Sequence, residues 1–215
     1  MAVDIVWYGH SCFRLRGRNV AIVTDPYPPT LGPRLKLDAD IITVSHGHDN
    51  HNHVGGVGKQ PFVVQGPGEY EVSGVTILGV PTFHDAQNGS ERGRNTVYMI
   101  DVDDVKVCHL GDVGHALDAG QLERLGNIDV LLVPVGGGAT LDASKGAEVV
   151  RQVEPRYVVP MHYALPAVKL ELQPVERFLQ EMGVAESEAQ PKLTVHATSS
   201  PSEGDTKIVV LDART

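Results

Sequence analysis

Apolar and polar residues alternate over short runs in the first half of the chain, a pattern typical of β-strands. Glycine-containing turns separate the first of these runs, which predicts an antiparallel meander. The runs cover residues 4–8, 12–15, 20–24, 41–44, 62–65, 75–80, 97–102 and 105–110. The last two runs flank Asp103 and Asp104, so we expect a hairpin there.

The second half contains longer segments with helical spacing. Helices are predicted at 116–125, at 142–153, where Asp142 can cap the first turn, and at 174–182. Strands are expected at 128–135, 157–160, 193–196 and 207–211. Neither a linker nor a low-complexity stretch interrupts this order. It therefore predicts helices packed outside two central sheets in a single domain, residues 1–215.

Composition narrows the function classes. Of 215 residues, 41% are hydrophobic, which suits a globular core, and the formal net charge is −9. An acidic surface repels nucleic acid and anionic lipid, so neither is an expected partner. Cys12 and Cys108 lie in apolar runs and are typical of buried thiols in a reducing compartment. No secretory signal or membrane-spanning run is evident, so a cytoplasmic location is expected.

Four of the ten histidines lie between positions 46 and 53. Residues two apart in an extended segment point the same way, so His46 and His48 can share one metal ion. His51 can face back toward a neighbouring ion. A catalytic zinc site uses about three protein ligands and a water. A histidine-rich surface turn is the alternative explanation of this segment alone.

Three further residues of ligand type each follow an apolar run, namely His84, Asp112 and His162. Strand ends at one edge of a sandwich converge in space, so these residues and the histidine cluster can build one metal centre. The chain has no Gly-x-Ser-x-Gly motif, and neither cysteine lies in a reactive context. Metal-activated water is therefore the expected nucleophile.

The order of these motifs resembles the metallo-β-lactamase fold. More closely, it is similar to the intracellular metal-dependent hydrolases related to L-ascorbate-6-phosphate lactonase. The motifs are Trp7-Tyr8-Gly9-His10-Ser11, Thr24-Asp25-Pro26, Ser45-His46-Gly47-His48-Asp49-Asn50-His51, His84, Gly111-Asp112 and His162. The resemblance implies an α+β fold, a four-layer αββα sandwich with a metal site at one edge of the sheets. It also implies the ligands of two ions: His46, His48 and His84 for the first, His51 and His162 for the second, and Asp112 as the bridge.

Asn50 departs from the family pattern, which usually has an aspartate at this position. A neutral amide is a weaker ligand than a carboxylate and cannot accept a proton, so the second ion is expected to bind more weakly than the first. Asp112 and Asn50 are nevertheless the expected catalytic residues. The adjacent Asp49 points away from Asn50 in an extended segment, so we expect it beside the ligands rather than among them.

The resemblance also implies supporting roles around the metals. Asp25 would hydrogen-bond the histidine loop and fix its ligands. His10 would contact substrate or the outside of the ligand shell. The glycine-rich loop, including Gly137 and Thr140, would present N–H groups to an anionic substrate group, and Tyr163 would donate to an oxyanion. An ordinary turn for the loop and a packing role for Tyr163 are the alternatives.

Taken together, the sequence predicts a metal-dependent hydrolase of a small ester, lactone or phosphate-bearing substrate. One or two divalent ions are expected, with zinc favoured and manganese or iron as alternatives. A catalytically weak metal-binding protein and a phosphodiesterase or nuclease on the same fold are the other hypotheses. A homo-oligomer is compatible with the sequence.

Overall fold

The computed structural model describes residues 1–185, 187–197 and 206–214. The strands are β1 (Ala2–Trp7), β2 (Phe13–Arg16), β3 (Ala21–Thr24), β4 (Leu37–Asp38), β5 (Ile41–Val44), β6 (Val57–Gly58), β7 (Phe62–Gln65), β8 (Gly68–Val72), β9 (Val75–Phe83), β10 (Arg94–Val102), β11 (Val105–His109), β12 (Val130–Pro134), β13 (Tyr157–Met161), β14 (Leu193–His196) and β15 (Lys207–Ile208). The helices are α1 (Ala119–Leu125), α2 (Ala143–Val153) and α3 (Val175–Glu181), with a 3₁₀ turn at Val54–Gly56.

Two mixed sheets form the centre of the molecule. The first has the order β14-β1-β2-β3-β5-β7 and the second β15-β13-β12-β11-β10-β9-β8, while β4 and β6 form a small separate pair. In the first sheet the strands from β14 to β3 are antiparallel to their neighbours and those from β3 to β7 are parallel. In the second sheet the strands from β15 to β11 are parallel and those from β11 to β8 are antiparallel. Parallel neighbours need a crossover, and α1 and α2 provide the crossovers from β11 to β12 and from β12 to β13.

The main core lies between the two sheets, where Trp7, Phe13 and Ile100 are fully buried. Helix α1 contacts β9 and helix α2 contacts β12 of the seven-stranded sheet, and α3 packs against α2. A second apolar cluster covers the outer face of the six-stranded sheet, where Leu31 and Leu35 pack near Val23 of β3. Every residue of β3 and β5 is buried, so both faces of the sheet are covered at these two strands, as expected of parallel strands. On this side the segment around Leu31 and Leu35 is coil.

The α+β class and the two-sheet sandwich with helices outside it are confirmed. The β10–β11 hairpin is also confirmed, as is α2, whose N-cap Asp142 accepts a hydrogen bond from the Lys145 N–H. Helix α1 starts later than predicted because Asp118 and Gln121 form a capping box there. The final predicted strand is shortened to β15.

Two features escaped the sequence pattern. Strand β8 reads Gly-Glu-Tyr-Glu-Val with no buried residue, because it is an edge strand that pairs only with β9. The β4–β6 pair has two residues per strand, too few to show a period. Cys12 and Cys108 are free and buried, as predicted. Among the described residues, no helix has both the length and the apolar character needed to cross a bilayer.

Candidate metal centre

The predicted ligands meet at one edge of the sandwich, beyond strand ends of both sheets. The histidine cluster follows β5 of the six-stranded sheet, whereas His84, Asp112 and His162 follow β9, β11 and β13 of the other. Asp112 lies at the centre of this arrangement. Its Oδ2 atom is 3.0 Å from the Nε2 of His51, 3.3 Å from those of His84 and His162, and 4.0 Å from that of His46. The carboxylate of Asp112 therefore faces four imidazoles, and its bridging role between two ions stays a prediction.

Two groups of three histidines surround Asp112. The first is His46, His48 and His84, and the second is His10, His51 and His162; within each group the potential ligand atoms lie within 4.8 Å of one another. His10 therefore belongs with the candidate ligands, whereas the sequence analysis expected it to contact substrate or the outside of the ligand shell. Its Nε2 atom is 2.9 Å from that of His51, and its backbone is left-handed with φ 53°, a conformation that few non-glycine residues adopt.

The donor set fits a divalent metal ion. Several buried imidazole nitrogens lack a hydrogen-bond partner within the described part of the chain: His10 Nδ1, His46 Nε2 and His162 Nδ1. Buried polar atoms are normally satisfied, and an unmade bond is costly. A bound ion would satisfy the Nε2 atom of His46, which belongs to the group formed with His48 and His84. Imidazoles together with a carboxylate form the ligand chemistry of zinc and related ions.

Asp25 supports two of the ligands from beneath the site, where the sequence analysis expected it. The carboxylate is fully buried, and Oδ2 lies 2.8 Å from the Nδ1 of His51. The Ser45 backbone N–H donates to Oδ1 at 2.8 Å and the Ser45 hydroxyl donates to Oδ2 at 2.5 Å. The same hydroxyl lies 2.9 Å from the Nδ1 of His46. Asp25 therefore orients His51 directly and His46 through Ser45.

The glycine-rich loop is hydrogen-bonded within itself and contacts one of the candidate ligands. Gly137 donates its N–H to the Leu141 carbonyl at 3.0 Å, and Thr140 donates its own to the Gly137 carbonyl at 3.3 Å. Both N–H groups are therefore used inside the loop, and binding of a substrate anion by this loop stays a prediction. The loop instead places the Ala139 carbonyl 3.1 Å from the Nδ1 of His84, which orients that ligand.

The structure places the three other predicted site residues, Asn50, Asp49 and Tyr163, in different surroundings from one another. The Nδ2 atom of Asn50 is 3.1 Å from the Nε2 of His10, so the amide lies beside the second group. Asp49 is exposed and makes no hydrogen bond or ion pair with a described residue, and the structure does not bring it into the site. The Tyr163 ring is buried 4.9 Å from that of Trp7. The ring of Tyr163 therefore packs in the core, which favours the packing alternative, and its oxyanion role stays a prediction.

Charge is unevenly distributed in the metal-free site. Burial lowers the pKa of His46 to about 3. Burial also opposes protonation of His51, but the carboxylates of Asp112 and Asp25 outweigh it and raise the pKa of His51 to about 10. Burial would raise the pKa of Asp112, yet the nearby imidazoles of His162 and His51 hold it well below its usual range. Two ionised carboxylates therefore enclose one protonated imidazole, and His46 is neutral and ready to bind a metal.

A cavity of 250 Å³ opens over the centre. It is lined by His48, Asn50, His84, Arg92, Asp112, Gly138, Ala139, His162, Leu170, Glu171 and Leu172. Sequence reasoning missed Arg92. It is the one arginine or lysine among the described residues that line this cavity, where the acidic residues are Asp112 and Glu171. The Asp85 carboxylate accepts backbone N–H bonds from Gln87, Gly89, Glu91 and Arg92 at 2.8–3.1 Å, and so it fixes the loop that carries Arg92.

Comparisons with known proteins agree with this geometry. A family model described as a β-lactamase superfamily domain matches residues 4–162. A UPF0173 protein of Pyrococcus abyssi (strain GE5 / Orsay) is 31% identical over 185 residues, covering 75% of this chain and 83% of that protein. A UPF0173 metal-dependent hydrolase of Thermococcus onnurineus (strain NA1) is 31% identical over 192 residues, covering 75% and 84%. A crystal structure from Thermotoga maritima, described as a candidate Zn-dependent hydrolase of the metallo-β-lactamase superfamily, is 36% identical with a TM-score of 0.77, covering 98% of this chain and 100% of that one.

Proposed function

Because this chain belongs to the metallo-β-lactamase superfamily as a metal-dependent hydrolase, we propose that it cleaves a small ester or lactone that carries an anionic group. The observation that carries the proposal is the joint lining of one cavity by ligand-type residues and by Arg92. The metal ligands supply the hydrolytic chemistry, and the guanidinium supplies a partner for a phosphate or carboxylate.

Two divalent ions fit the proposed reaction, with zinc favoured by the imidazole-rich set. His46, His48 and His84 would hold the first ion, and His10, His51 and His162 the second, with Asp112 between them. A bound ion of this kind makes a water nucleophile available at neutral pH and polarises the substrate carbonyl.

The chain prepares its ligands by holding protons at defined atoms. The Nδ1–H of His84 donates to the Ala139 carbonyl, which leaves the Nε2 lone pair facing Asp112 and the site. Asp25 holds a proton on the Nδ1 of His51 in the same way. These contacts fix tautomer and ring orientation before any substrate enters.

The cavity also orients and limits the substrate. Its volume of 250 Å³ admits a small molecule. Leu170 and Leu172 line it and would contact the apolar part of a substrate. Asn50 also lines the cavity. The Asn50 amide can hydrogen-bond a substrate oxygen but cannot take up a proton. The groups that can accept a proton among the acidic and amide side chains lining the cavity, within the described chain, are the carboxylates of Asp112 and Glu171.

Matched lactones test the proposal. Metal-loaded protein should hydrolyse a phosphorylated lactone with a KM lower than that of its neutral counterpart. Arg92→Gln should raise the KM of the phosphorylated substrate about tenfold, the usual loss for one charged hydrogen bond, and leave the neutral one unchanged. Arg94→Gln is the control, because this exposed arginine lies two residues away and does not line the cavity.

Equal KM values for the charged and neutral lactones would contradict the assignment of Arg92. Turnover of phosphodiesters with no turnover of lactones or esters would contradict the proposed reaction itself and would favour a phosphodiesterase on the same metal centre.

A further inference from the structure

A second cavity lies on the outer face of the six-stranded sheet. It has a volume of 420 Å³ and gathers four basic residues, Arg14, Arg34, Lys36 and Arg214. We propose that this basic cavity binds a small organic phosphate, at a site separate from the metal centre. The proposal rests on the basic cavity alone and does not depend on the substrate proposed above.

The four cations come from three distant parts of the chain. Arg14 lies on β2 between Phe13 and Leu15, which pack in the core between the sheets; by alternation, Arg14 faces outward. Arg34 and Lys36 belong to the coil segment that covers this outer face, and Arg214 lies near the carboxyl end. Their separation in sequence explains why charge patterning showed no basic patch.

The four basic side chains form no ion pair with a described residue, although Asp38 lines an adjoining cavity together with Arg34 and Lys36. The lining of the basic cavity itself includes no acidic residue among those described. The Nε atom of Arg14 is buried without a hydrogen-bond partner. A buried unpaired guanidinium N–H is costly, and a bound anion would satisfy it. This concentration of positive charge stands out in a chain whose formal net charge is −9.

The basic groups are held in place before a ligand arrives. Both neighbours of β2 pair with Arg14, at Val6 of β1 and Val23 of β3. The backbone N–H of Arg214 donates to the Trp7 carbonyl at 2.9 Å. Leu35 is buried between Arg34 and Lys36 and anchors them to the sheet. Little conformational freedom of the backbone would therefore be lost on binding.

Two tyrosines give the cavity an aromatic wall. Tyr8 and Tyr27 both line it, and the Tyr27 hydroxyl donates to the Tyr8 carbonyl at 2.7 Å. A wall of this kind suits the organic part of a phosphorylated metabolite. A cavity of 420 Å³ suits a small molecule better than a polymer, which needs an extended groove.

The basic cavity is adjacent to the metal centre but distinct from it. The Tyr27 ring centroid is 6.4 Å from that of His10, in an edge-on arrangement. The two cavities nevertheless have no lining residue in common. Binding at one can therefore be removed by substitutions that leave the other intact.

Calorimetric titration of the metal-loaded full chain with glucose 6-phosphate tests the proposal, with glucose as the neutral probe. We expect saturable binding of the phosphate and none of glucose. Arg14→Gln and Arg34→Gln should each weaken binding about tenfold. Arg16→Gln should leave it unchanged, because this outward, exposed residue of the same strand does not line the cavity.

Metal content and circular dichroism should match those of the wild type in each variant. Arg34 is exposed, so Arg34→Gln decides the question if Arg14→Gln does not fold. Absence of saturable binding to the wild type would overturn the proposal. Binding that persists unchanged in the Arg34→Gln variant would place the anion elsewhere, at the metals for example, and would also overturn it.

Discussion

His10 has a left-handed backbone, and its Nε2 atom lies 2.9 Å from that of His51 and 3.1 Å from the amide nitrogen of Asn50. A donor nitrogen of Asn50 therefore faces His10. This arrangement makes the imidazole the third candidate ligand of the second group and gives the amide a supporting position.

His10→Ala should accordingly lower the occupancy of the second ion more than Asn50→Ala does. Loss of one ligand commonly costs more affinity than loss of its supporting contact, which costs about 10–100-fold. Asp112→Ala should lower the occupancy of both ions, because the Asp112 carboxylate faces both histidine groups. Elemental analysis after dialysis measures all three variants. Equal occupancies in His10→Ala and Asn50→Ala would show that His10 is not a ligand.

Metal binding should release a proton from His51. In the metal-free protein its pKa is raised to about 10, so the imidazole is protonated at neutral pH and must lose that proton to bind an ion through Nε2. Affinity of the second site for zinc should therefore increase from pH 6 to pH 8. Calorimetry in buffers of different ionisation enthalpy measures the released proton.

The raised pKa of His51 affects the stability of the metal-free protein in the opposite direction: zinc affinity increases with pH, whereas folding stability decreases. A raised pKa means that protonation of His51 stabilises the folded protein fully below the ordinary histidine pKa, and that this contribution is lost as the pH rises through about 10.

Zinc affinity that is independent of pH between 6 and 8 would contradict the protonated state of His51.

At the scale of the element, the turn after β11 presents Asp112 to the metal site. Gly111 has φ 57°, and a Cβ atom there would lie 2.5 Å from the Cβ of Ser45 and 2.6 Å from the Oδ1 of Asn95. Asn95 in turn accepts the Asp112 N–H at 3.0 Å. The turn is therefore clamped between the loop after β5 and strand β10, with no room for a side chain.

Gly111→Ala should destabilise the protein by about 2 kcal/mol or more, because strain and a steric clash combine. It should also lower metal content by displacing Asp112. Gly47→Ala is the matched control, since a Cβ there would meet nothing within 4 Å, and it should change stability by less than about 0.5 kcal/mol. Urea unfolding of both variants measures the difference; equal midpoints would refute the clamp.

At the scale of the whole molecule, the metal centre joins the two sheets. The histidine loop follows a strand of the six-stranded sheet, whereas His84, Asp112 and His162 follow strands of the seven-stranded sheet. Ions held across this boundary should bind the folded chain only, and so they should stabilise it by mass action.

Chelation should therefore lower the melting temperature. Free metal at about a thousand times its Kd stabilises by about 4 kcal/mol, which for a chain of this size corresponds to roughly 10 °C. Scanning calorimetry with and without a chelator measures the change, and restored zinc should reverse it. The variant His196→Ala, exposed on β14 and outside both histidine groups, should show the same shift. An unchanged melting temperature on chelation would show that the ions do not link the sheets.

The sequence by itself determined the features that depend on neighbours along the chain. Periodicity predicted β1 to β3, the β10–β11 hairpin and α2 with its Asp142 cap, because backbone geometry repeats over two or about four residues. It also identified the ligand-type residues, since they are clustered between 46 and 53 or stand directly after apolar runs. Resemblance in the motif order then implied the fold, which is confirmed, and two sets of ligands, which stay a prediction.

Only the tertiary structure decided which side chains meet across the chain. It brought His10 to His51, aimed the Ala139 carbonyl at His84, and assembled Arg14 with Arg214 around one cavity. It also showed that the N–H groups of Gly137 and Thr140 are already bonded within their loop. Apart from the bonds within this loop, the residues brought together are tens to about two hundred positions apart, and no local period records them. Their distances are set by how the two sheets pack, which is a property of the whole core rather than of any one segment.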